Sequence, residues 1–275
     1  RSTLHGRRQR QMCIRDRLMN ATLGDAQYKH VLAYLDDVVI HSKDLKSHLE
    51  HIKDVFDRFE RAGLRLKMSK CQFLKPEISF LGHVISKNGI HVSPEKIEAI
   101  SQLEPPKNQR GVRGFLGMCS YYRKFLPYFA EIAKPLTHLT KKQVKFVWNS
   151  ECQKAFDNLK RGLATAPVLA FPSPARPFIV HTDASAFAVG AVLSQMDAPG
   201  EKEYVIQYLS HKLTETQCRW SASERECYAI VYALGRFRPY LLGSRFTLYT
   251  DHKPLSSLFV SSMKNARIQR WSAML

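Results

Sequence analysis

Long apolar runs are missing from this sequence. None approaches the roughly 18 residues needed to cross a bilayer, so no membrane span is expected. The amino terminus is basic but no apolar stretch follows it, so no signal peptide is expected either. Paired cysteines are also missing. Cys13, Cys71, Cys119, Cys152, Cys218 and Cys227 include no Cys-x-x-Cys pair, and no His/Cys set has zinc-ligand spacing. Reduced thiols in an intracellular protein are the expectation, with Cys227 a core residue rather than a nucleophile. Acidic residues are scarce: 24 Asp and Glu face 42 Lys and Arg, for a net charge of +18. A polyanionic partner fits that excess, because basic surface displaces counterions from phosphates. On its own, the charge favours nucleic acid only modestly.

The 275 residues suffice for one large domain or two ordinary ones, and 44% hydrophobic content allows sizeable cores. Residues 1–17 differ from the rest, with six Arg, one Asp and no hydrophobic period. A basic arm is one reading; a disordered or foreign stretch is the preferred one. Val31 to Ile40 reads as two strands flanking the turn Asp36-Asp37. A helix is expected from Lys43 to Ala62, burying Leu45, Leu49, Ile52, Phe56 and Phe59, with Gly63 ending it. His48 and His51 on that helix are read as solvated surface, since no third metal ligand is evident. Ile78 to Ser86 is expected as one strand, and Lys87-Asn88-Gly89 as a turn whose Asn-Gly supplies positive φ angles. Ser93-Pro94 is expected to cap and open a short helix.

A second helix is expected from Gln109 to Phe125. It mixes Arg110, Arg113, Arg123 and Lys124 with Phe115, Tyr121, Tyr122 and Phe125. That pattern suits phosphate and base contacts as well as it suits a core face with a solvated back. A helix from Glu151 to Leu163 follows, then Pro167, Pro172, Pro174 and Pro177, read as an extended linker. Beyond it, strands are expected at Phe178–Thr182, Phe187–Leu193, Tyr204–Leu209 and Phe246–Thr250. A helix runs from Ala222 to Leu234 or beyond, and another begins after Thr250. Strands in a meander and then alternating with helices indicate a mixed α/β sheet.

Two of those strands finish in Thr-Asp, at Asp183 and Asp251. If they are parallel neighbours, both carboxylates emerge at one sheet edge, where open α/β sheets place active sites. Ser221-Ala222-Ser223-Glu224 fits a capping box, which occupies Glu224. Glu226 has no such task and shares a face with Ala229, Ile230 and Ala233. A carboxylate on a buried face is costly unless paired or metal-bound, so Glu226 is the expected third member. Three clustered carboxylates without a base suit hard cations such as Mg²⁺, although an Asp at a strand end is often only a turn residue. In the first half, desolvation and mutual repulsion oppose the pairing of Asp36 with Asp37. A metal ion or basic partner would resolve that conflict; an exposed Asp-rich turn is the plainer alternative.

The stretches His181-Thr182-Asp183-Ala184-Ser185, Gly190-Ala191-Val192-Leu193, Glu224-Arg225-Glu226 and Phe246 to His252 resemble the RNase H domain of gypsy-type LTR-retrotransposon reverse transcriptases. Tyr34-Leu35-Asp36-Asp37 resembles the Y-x-D-D motif of that family, and Arg17-Leu18-Met19-Asn20 the stretch preceding it. Phe80-Leu81-Gly82-His83 resembles its primer-grip strand. Gly114-Phe115-Leu116-Gly117 and Tyr121 to Phe125 resemble its thumb and connection.

The resemblance implies a palm remnant at 18–92, thumb and connection at 93–175, and an RNase H-like mixed-sheet domain at 176–275. The fold class is α/β, with an α+β first part. It implies catalytic, metal-ligating roles for Asp36, Asp37, Asp183, Glu226 and Asp251, with Mg²⁺ in two-metal sites. Phe80, Leu81, Gly82, His83, Arg113, Arg123 and Lys124 would contact nucleic acid. The implied partners are RNA/DNA hybrid, template-primer and dNTPs, and the implied location is cytoplasmic particles or the nucleus. A third palm Asp, the fingers and a last metal-site residue of the family have no match, and Asp16 is not accepted as that Asp. A fragment truncated at both ends is therefore expected, and a nucleic-acid-binding remnant without activity is the alternative.

Overall fold

The computed structural model describes residues 17–252 and 266–272. Apart from Arg17, the arginine-rich stretch lies outside the described residues, as do Cys13, Asp16 and the segment after His252 where a helix is expected. The chain divides into two compact units, one up to Pro76 and one from Glu77 onward.

In the first unit, helix α1 (17–23) and a single 3-10 turn precede the hairpin of β1 (Val31–Tyr34) and β2 (Asp37–Ile40). Its antiparallel ladder runs from Val31↔Ile40 to Tyr34↔Asp37. Helix α2 spans Leu45–Arg61. The Asp44 carboxylate accepts from the Ser47 amide at 2.9 Å and caps it, and Gly63 takes φ +68° just past its end. Arg58 ties α2 to the 3-10 turn, donating to the Leu23 carbonyl and to Asp25. The buried side of α2 is Val55 and Phe59, packed on Leu23, Ala26 and Val31. Leu45 and Leu49, expected in the buried stripe, are 60% and 54% exposed. This small core is built from α1, the turn and β1, and it reaches only the second half of α2.

The second unit opens with β3 (Glu77–Phe80), β4 (His83–Ser86) and β5 (Gly89–Val92), paired antiparallel in that order. The single strand expected at Ile78–Ser86 is thus a hairpin, broken at Leu81-Gly82, where φ is +51° and +73°. In the next turn only Gly89 takes positive φ, at +135°; Asn88 does not, and the turn pairs Ser86 with Gly89. Helix α3 (Pro94–Ser101) starts at Ser93-Pro94, but the Ser93 side chain makes no capping bond. Helix α4 (Gln109–Tyr121) stops four residues before its expected end, and Arg123–Phe125 form a 3-10 turn. The short α5 (Phe129–Ile132) and α6 (Lys134–Leu139) lead to α7 (Ser150–Ala164). Phe115, Phe125, Leu136, Phe156 and Leu159 form the core among these helices.

The last part is a four-stranded sheet ordered β8-β7-β6-β9, from β6 (Phe178–Ala184), β7 (Ala188–Gln195), β8 (Tyr204–Lys212) and β9 (Phe246–Thr250). β6 and β9 are parallel and the other pairs antiparallel. A one-turn helix α8 (Glu215–Cys218) precedes α9 (Ala222–Leu241), and α10 (Ala266–Ser272) follows. α9 runs past the expected Leu234 because its apolar face continues through Phe237 and Leu241, both buried against the sheet. Each such side chain contributes roughly 1.5–3 kcal/mol. The proline-rich stretch is extended as expected, yet it is tied down. Leu169 exchanges two backbone bonds with Ile90, and the Ala170 amide donates to the Val205 carbonyl at 2.8 Å. Among the described residues no helix is long and apolar enough to cross a membrane.

The capping box at the start of α9 is formed in full, Ser221 and Glu224 each satisfying the other's amide. Its loss exposes orphan amides of the first turn. Ser221→Ala is expected to lower stability by about 1 kcal/mol in a urea titration; an unchanged midpoint would show the cap to be idle.

Candidate active site

Three carboxylates meet at one edge of the four-stranded sheet. The parallel register pairs Thr182 with Thr250, so Asp183 and Asp251 leave neighbouring strands side by side. Glu226 rises from the first turns of α9, on the face that also buries Ala229, Ile230 and Ala233. Alanines let the helix lie close to the sheet, which brings the glutamate within reach of the strand ends. One carboxylate oxygen from each residue lies within 4.8 Å of the other two. The two aspartates are exposed and Glu226 is buried, at 7% exposure.

The electrostatics follow from that crowding. Burial, reinforced by the charges of Asp251 and Asp183, pushes the Glu226 carboxyl up to about 7. Burial and then the Asp251 charge also raise Asp183. Glu226 Oε1 accepts from the Ala184 amide at 3.2 Å. Its Oε2 is buried and has no hydrogen-bond partner among the described residues. A buried carboxylate oxygen left bare between two further carboxylates is an unfavourable arrangement on its own. A bound cation removes the penalty, so the triad can hold a metal through oxygen donors alone. Among the described residues this is the one group of three or more acidic, histidine or cysteine side chains with such geometry.

Two supports of this site had no signal in the sequence. The imidazole Nε2 of His252, next to Asp251, lies 3.0 Å from the Ser223 hydroxyl of α9. Arg267 of α10 donates to Glu224 at 2.7 Å, and its guanidinium lies 4.6 Å from the Trp220 ring centroid. Both contacts join segments 29 or more positions apart, where no spacing rule operates.

The other expected residues lie elsewhere. Asp36 and Asp37 sit exposed at the β1–β2 turn, where Leu35 is held at φ +54°. The described residues bring no third carboxylate to them. His48 and His51 are not simply solvated: the Ser42 hydroxyl bridges their Nδ1 atoms at 3.1 and 2.7 Å, and His51 stacks on His30.

In the second unit, Phe80 ends β3, Leu81-Gly82 form the turn and His83 opens β4. The Tyr121 hydroxyl donates to the Leu81 carbonyl at 2.6 Å and the Tyr122 hydroxyl to that of Gly82 at 3.1 Å. His83 stacks on Tyr121, and burial, with the nearby Lys124 charge, lowers it to about 4. In the α4 region the core face expected from the sequence is present. Phe115, Tyr122 and Phe125 are core, whereas Tyr121 and Arg123 are exposed. Arg113 donates to the Thr140 carbonyl at the end of α6.

The comparisons agree with this architecture. Residues 148–248 match the family described as the RNase H-like domain found in reverse transcriptase. Residues 13–85 match the reverse transcriptase (RNA-dependent DNA polymerase) family. The chain belongs to the reverse transcriptase and RNase H-like region of LTR-retrotransposon Pol polyproteins. It is 41% identical, over 94% of its length, to the retrovirus-related Pol polyprotein from transposon 297 of Drosophila melanogaster. It is 36% identical, over 94% of its length, to the transposon Tf2-3 polyprotein of Schizosaccharomyces pombe. It spans only 24% and 20% of those proteins. Among solved structures, the foamy viral protease-reverse transcriptase in complex with dsDNA shares its fold. The TM-score is 0.81 at 22% identity, covering 96% of this chain and 56% of that one. The same viral enzyme with an RNA/DNA hybrid gives 0.75 at 22% identity, covering 93% and 35%.

Proposed function

We propose that residues 176–275 act as a ribonuclease H that hydrolyses the RNA strand of RNA/DNA hybrids, with Asp183, Glu226 and Asp251 as catalytic residues and ligands of two Mg²⁺ ions. One observation carries this reading: Glu226 is buried with one carboxyl oxygen lacking a hydrogen-bond partner among the described residues, beside Asp183 and Asp251. A carboxylate kept at that depth for structure alone would be paired. The all-oxygen donor set suits Mg²⁺, which is bound by few protein carboxylates and keeps several waters. When bound, the ions supply positive charge against the anionic phosphorus centre of the transition state. The chain's own part is positioning. β6 and β9 hold the two aspartates on adjacent parallel ends, α9 holds Glu226 beside them, and the Ala184 amide fixes the glutamate's orientation.

Residues 18–92 are read as the carboxyl-terminal part of a polymerase palm and 93–175 as thumb and connection. The whole Pol protein would copy RNA into DNA from dNTPs on a template-primer. Asp36 and Asp37 would then supply part of a polymerase metal cage, and Phe80–His83 would contact the primer. Arg113, Arg123 and Lys124 would contact the backbone. The description of the foamy viral enzyme with dsDNA and with a hybrid supports such substrates.

The test is cleavage of a labelled RNA/DNA hybrid in Mg²⁺. Asp183→Asn is expected to slow it by roughly a hundredfold or more, the scale of removing one element of transition-state charge stabilisation, while still binding the hybrid. Equal rates for the two proteins would sink the nuclease reading. Hybrid binding without cleavage by either would leave a nucleic-acid-binding protein.

A further inference from the structure

The three carboxylates of the triad are not held equally. Asp183 lies near the end of β6, an inner strand with neighbours on both sides and with Phe178, Ile179, Val180 and Thr182 buried. Glu226 stands on the face of α9 that packs on the sheet and is itself buried. Asp251 follows β9, the outer strand of the described sheet, which pairs there with β6. No residue of β9 is fully buried, and Phe246 and Tyr249 are exposed. Its last register pair is Thr182↔Thr250, so Asp251 already lies beyond the ladder. Strand pairing and packing therefore fix this carboxylate least of the three.

A tether reaches this strand end from the helix. His252 Nε2 and the Ser223 hydroxyl are hydrogen-bonded at 3.0 Å, and either neutral tautomer of the imidazole can make that bond. The capping box is made by Ser221 and Glu224, and Ser223 takes no part in it. Ser223 and Glu226 share a face of α9, about 4.5 Å apart along its axis. Their partners His252 and Asp251 are adjacent, with about 3.8 Å between Cα atoms. The bond thus runs beside the approach of Asp251 to Glu226, one step along each element. That approach is opposed. Burial raises the Glu226 carboxyl, and the Asp251 charge adds to the rise, as like charges do. Without a cation, repulsion pushes the end of β9 away from α9, and the bond between His252 and Ser223 resists it.

We propose that Ser223 and His252 are positioning residues: their hydrogen bond holds the end of β9 on α9 and so keeps Asp251 where it can share a divalent cation with Glu226 and Asp183. The inference rests on the metal-site reading above. Neither residue is a ligand. Their effect is on the fraction of molecules whose triad is assembled before a cation arrives, and apparent affinity scales with that fraction. Groups that orient metal ligands from behind act in the same way.

The test titrates the full chain with Mn²⁺ alone, without nucleic acid, and reads free ion by electron paramagnetic resonance; Mn²⁺ takes the same oxygen donors as Mg²⁺. Ser223→Ala is expected to weaken binding roughly three- to tenfold, the scale of one net hydrogen bond. His252→Phe, which keeps a ring but no nitrogen, should do the same. The double variant should bind no more weakly than either single one, because both changes remove one bond. Ser221→Ala is the control. It removes the cap of the same helix and lowers stability, yet should keep the wild-type affinity for Mn²⁺. Urea midpoints restrict the comparison to folded protein. Wild-type affinity in Ser223→Ala overturns the inference and leaves the metal site standing. So does an equal loss in Ser221→Ala, which would trace the effect to a weakened helix start, and so does an additive loss in the double variant. No Mn²⁺ binding by the wild type, or binding that Asp183→Asn leaves unchanged, overturns the metal-site reading and this inference together.

Discussion

Without divalent cations, the wild-type protein should lose stability relative to Glu226→Gln as pH rises from about 4.5 to about 7, and Mg²⁺ should restore it. The sign follows from linkage. The folded protein raises the Glu226 carboxyl from its ordinary 4.5 to about 7, chiefly through burial. Between those values the folded state holds the proton that the unfolded state has released. Stability therefore falls with pH through that window and levels off above it. The full penalty is on the order of 3 kcal/mol. Asp183, raised for the same reasons, acts in the same direction. His83 acts oppositely. Lowered to about 4 by burial, it contributes stability that grows as pH rises from about 4 toward the ordinary 6.5. The raw midpoint would mix these effects, so the difference between wild type and Glu226→Gln is the quantity to measure. A divalent cation held by the ionised triad would reverse the penalty by mass action. Adding Mg²⁺ at pH 8 should raise the urea midpoint of wild type clearly and that of Glu226→Gln little. Parallel pH curves for the two proteins would show that Glu226 carries no such strain.

The same residues show how far local pattern reaches. Asp183 and Asp251 were legible because each ends a β run in Thr-Asp, and parallel pairing of those runs is enough to bring them together. Glu226 was separable from Glu224 because the capping box is a rule of spacing within one turn, and the structure forms it. What escaped depends on distant partners. Ile78 to Ser86 is an unbroken β-like run apart from Gly82. It turns at Leu81-Gly82 because the hydroxyls of Tyr121 and Tyr122, forty positions on, hold those carbonyls. Leu45 and Leu49 carry the right period for burial, yet period alone does not set how far a core extends along a helix.

Gly89→Ala is expected to be the most damaging single-methyl change in the second unit, costing about 3 kcal/mol or more. Gly89 opens β5 at φ +135°, a conformation L side chains rarely adopt. A Cβ there would lie 2.1 Å from the Leu169 carbonyl oxygen, 2.9 Å from its carbon and 3.0 Å from a methyl of Val168. The first two are backbone atoms, so no side-chain rotation relieves them. That same oxygen accepts from the Ile90 amide at 2.8 Å, and Leu169 donates back to Ile90 at 2.8 Å. Making room means pulling the proline-rich strap off β5 and giving up both bonds. The effect should travel further, since the strap also donates from Ala170 to Val205 of β8, and Leu169 belongs to the core that holds Phe115, Phe125 and Phe156. Gly200→Ala supplies the comparison: its φ is +88° but nothing lies within 4 Å of its Cβ, so only the backbone term remains, about 1–2 kcal/mol. Urea midpoints for the two variants separate strain from collision. Limited proteolysis should show new cleavage between Pro167 and Pro177 in Gly89→Ala alone. A cost no larger than that of Gly200→Ala, with the strap still protected, would mean that the contact between β5 and Leu169 does not anchor this part of the fold.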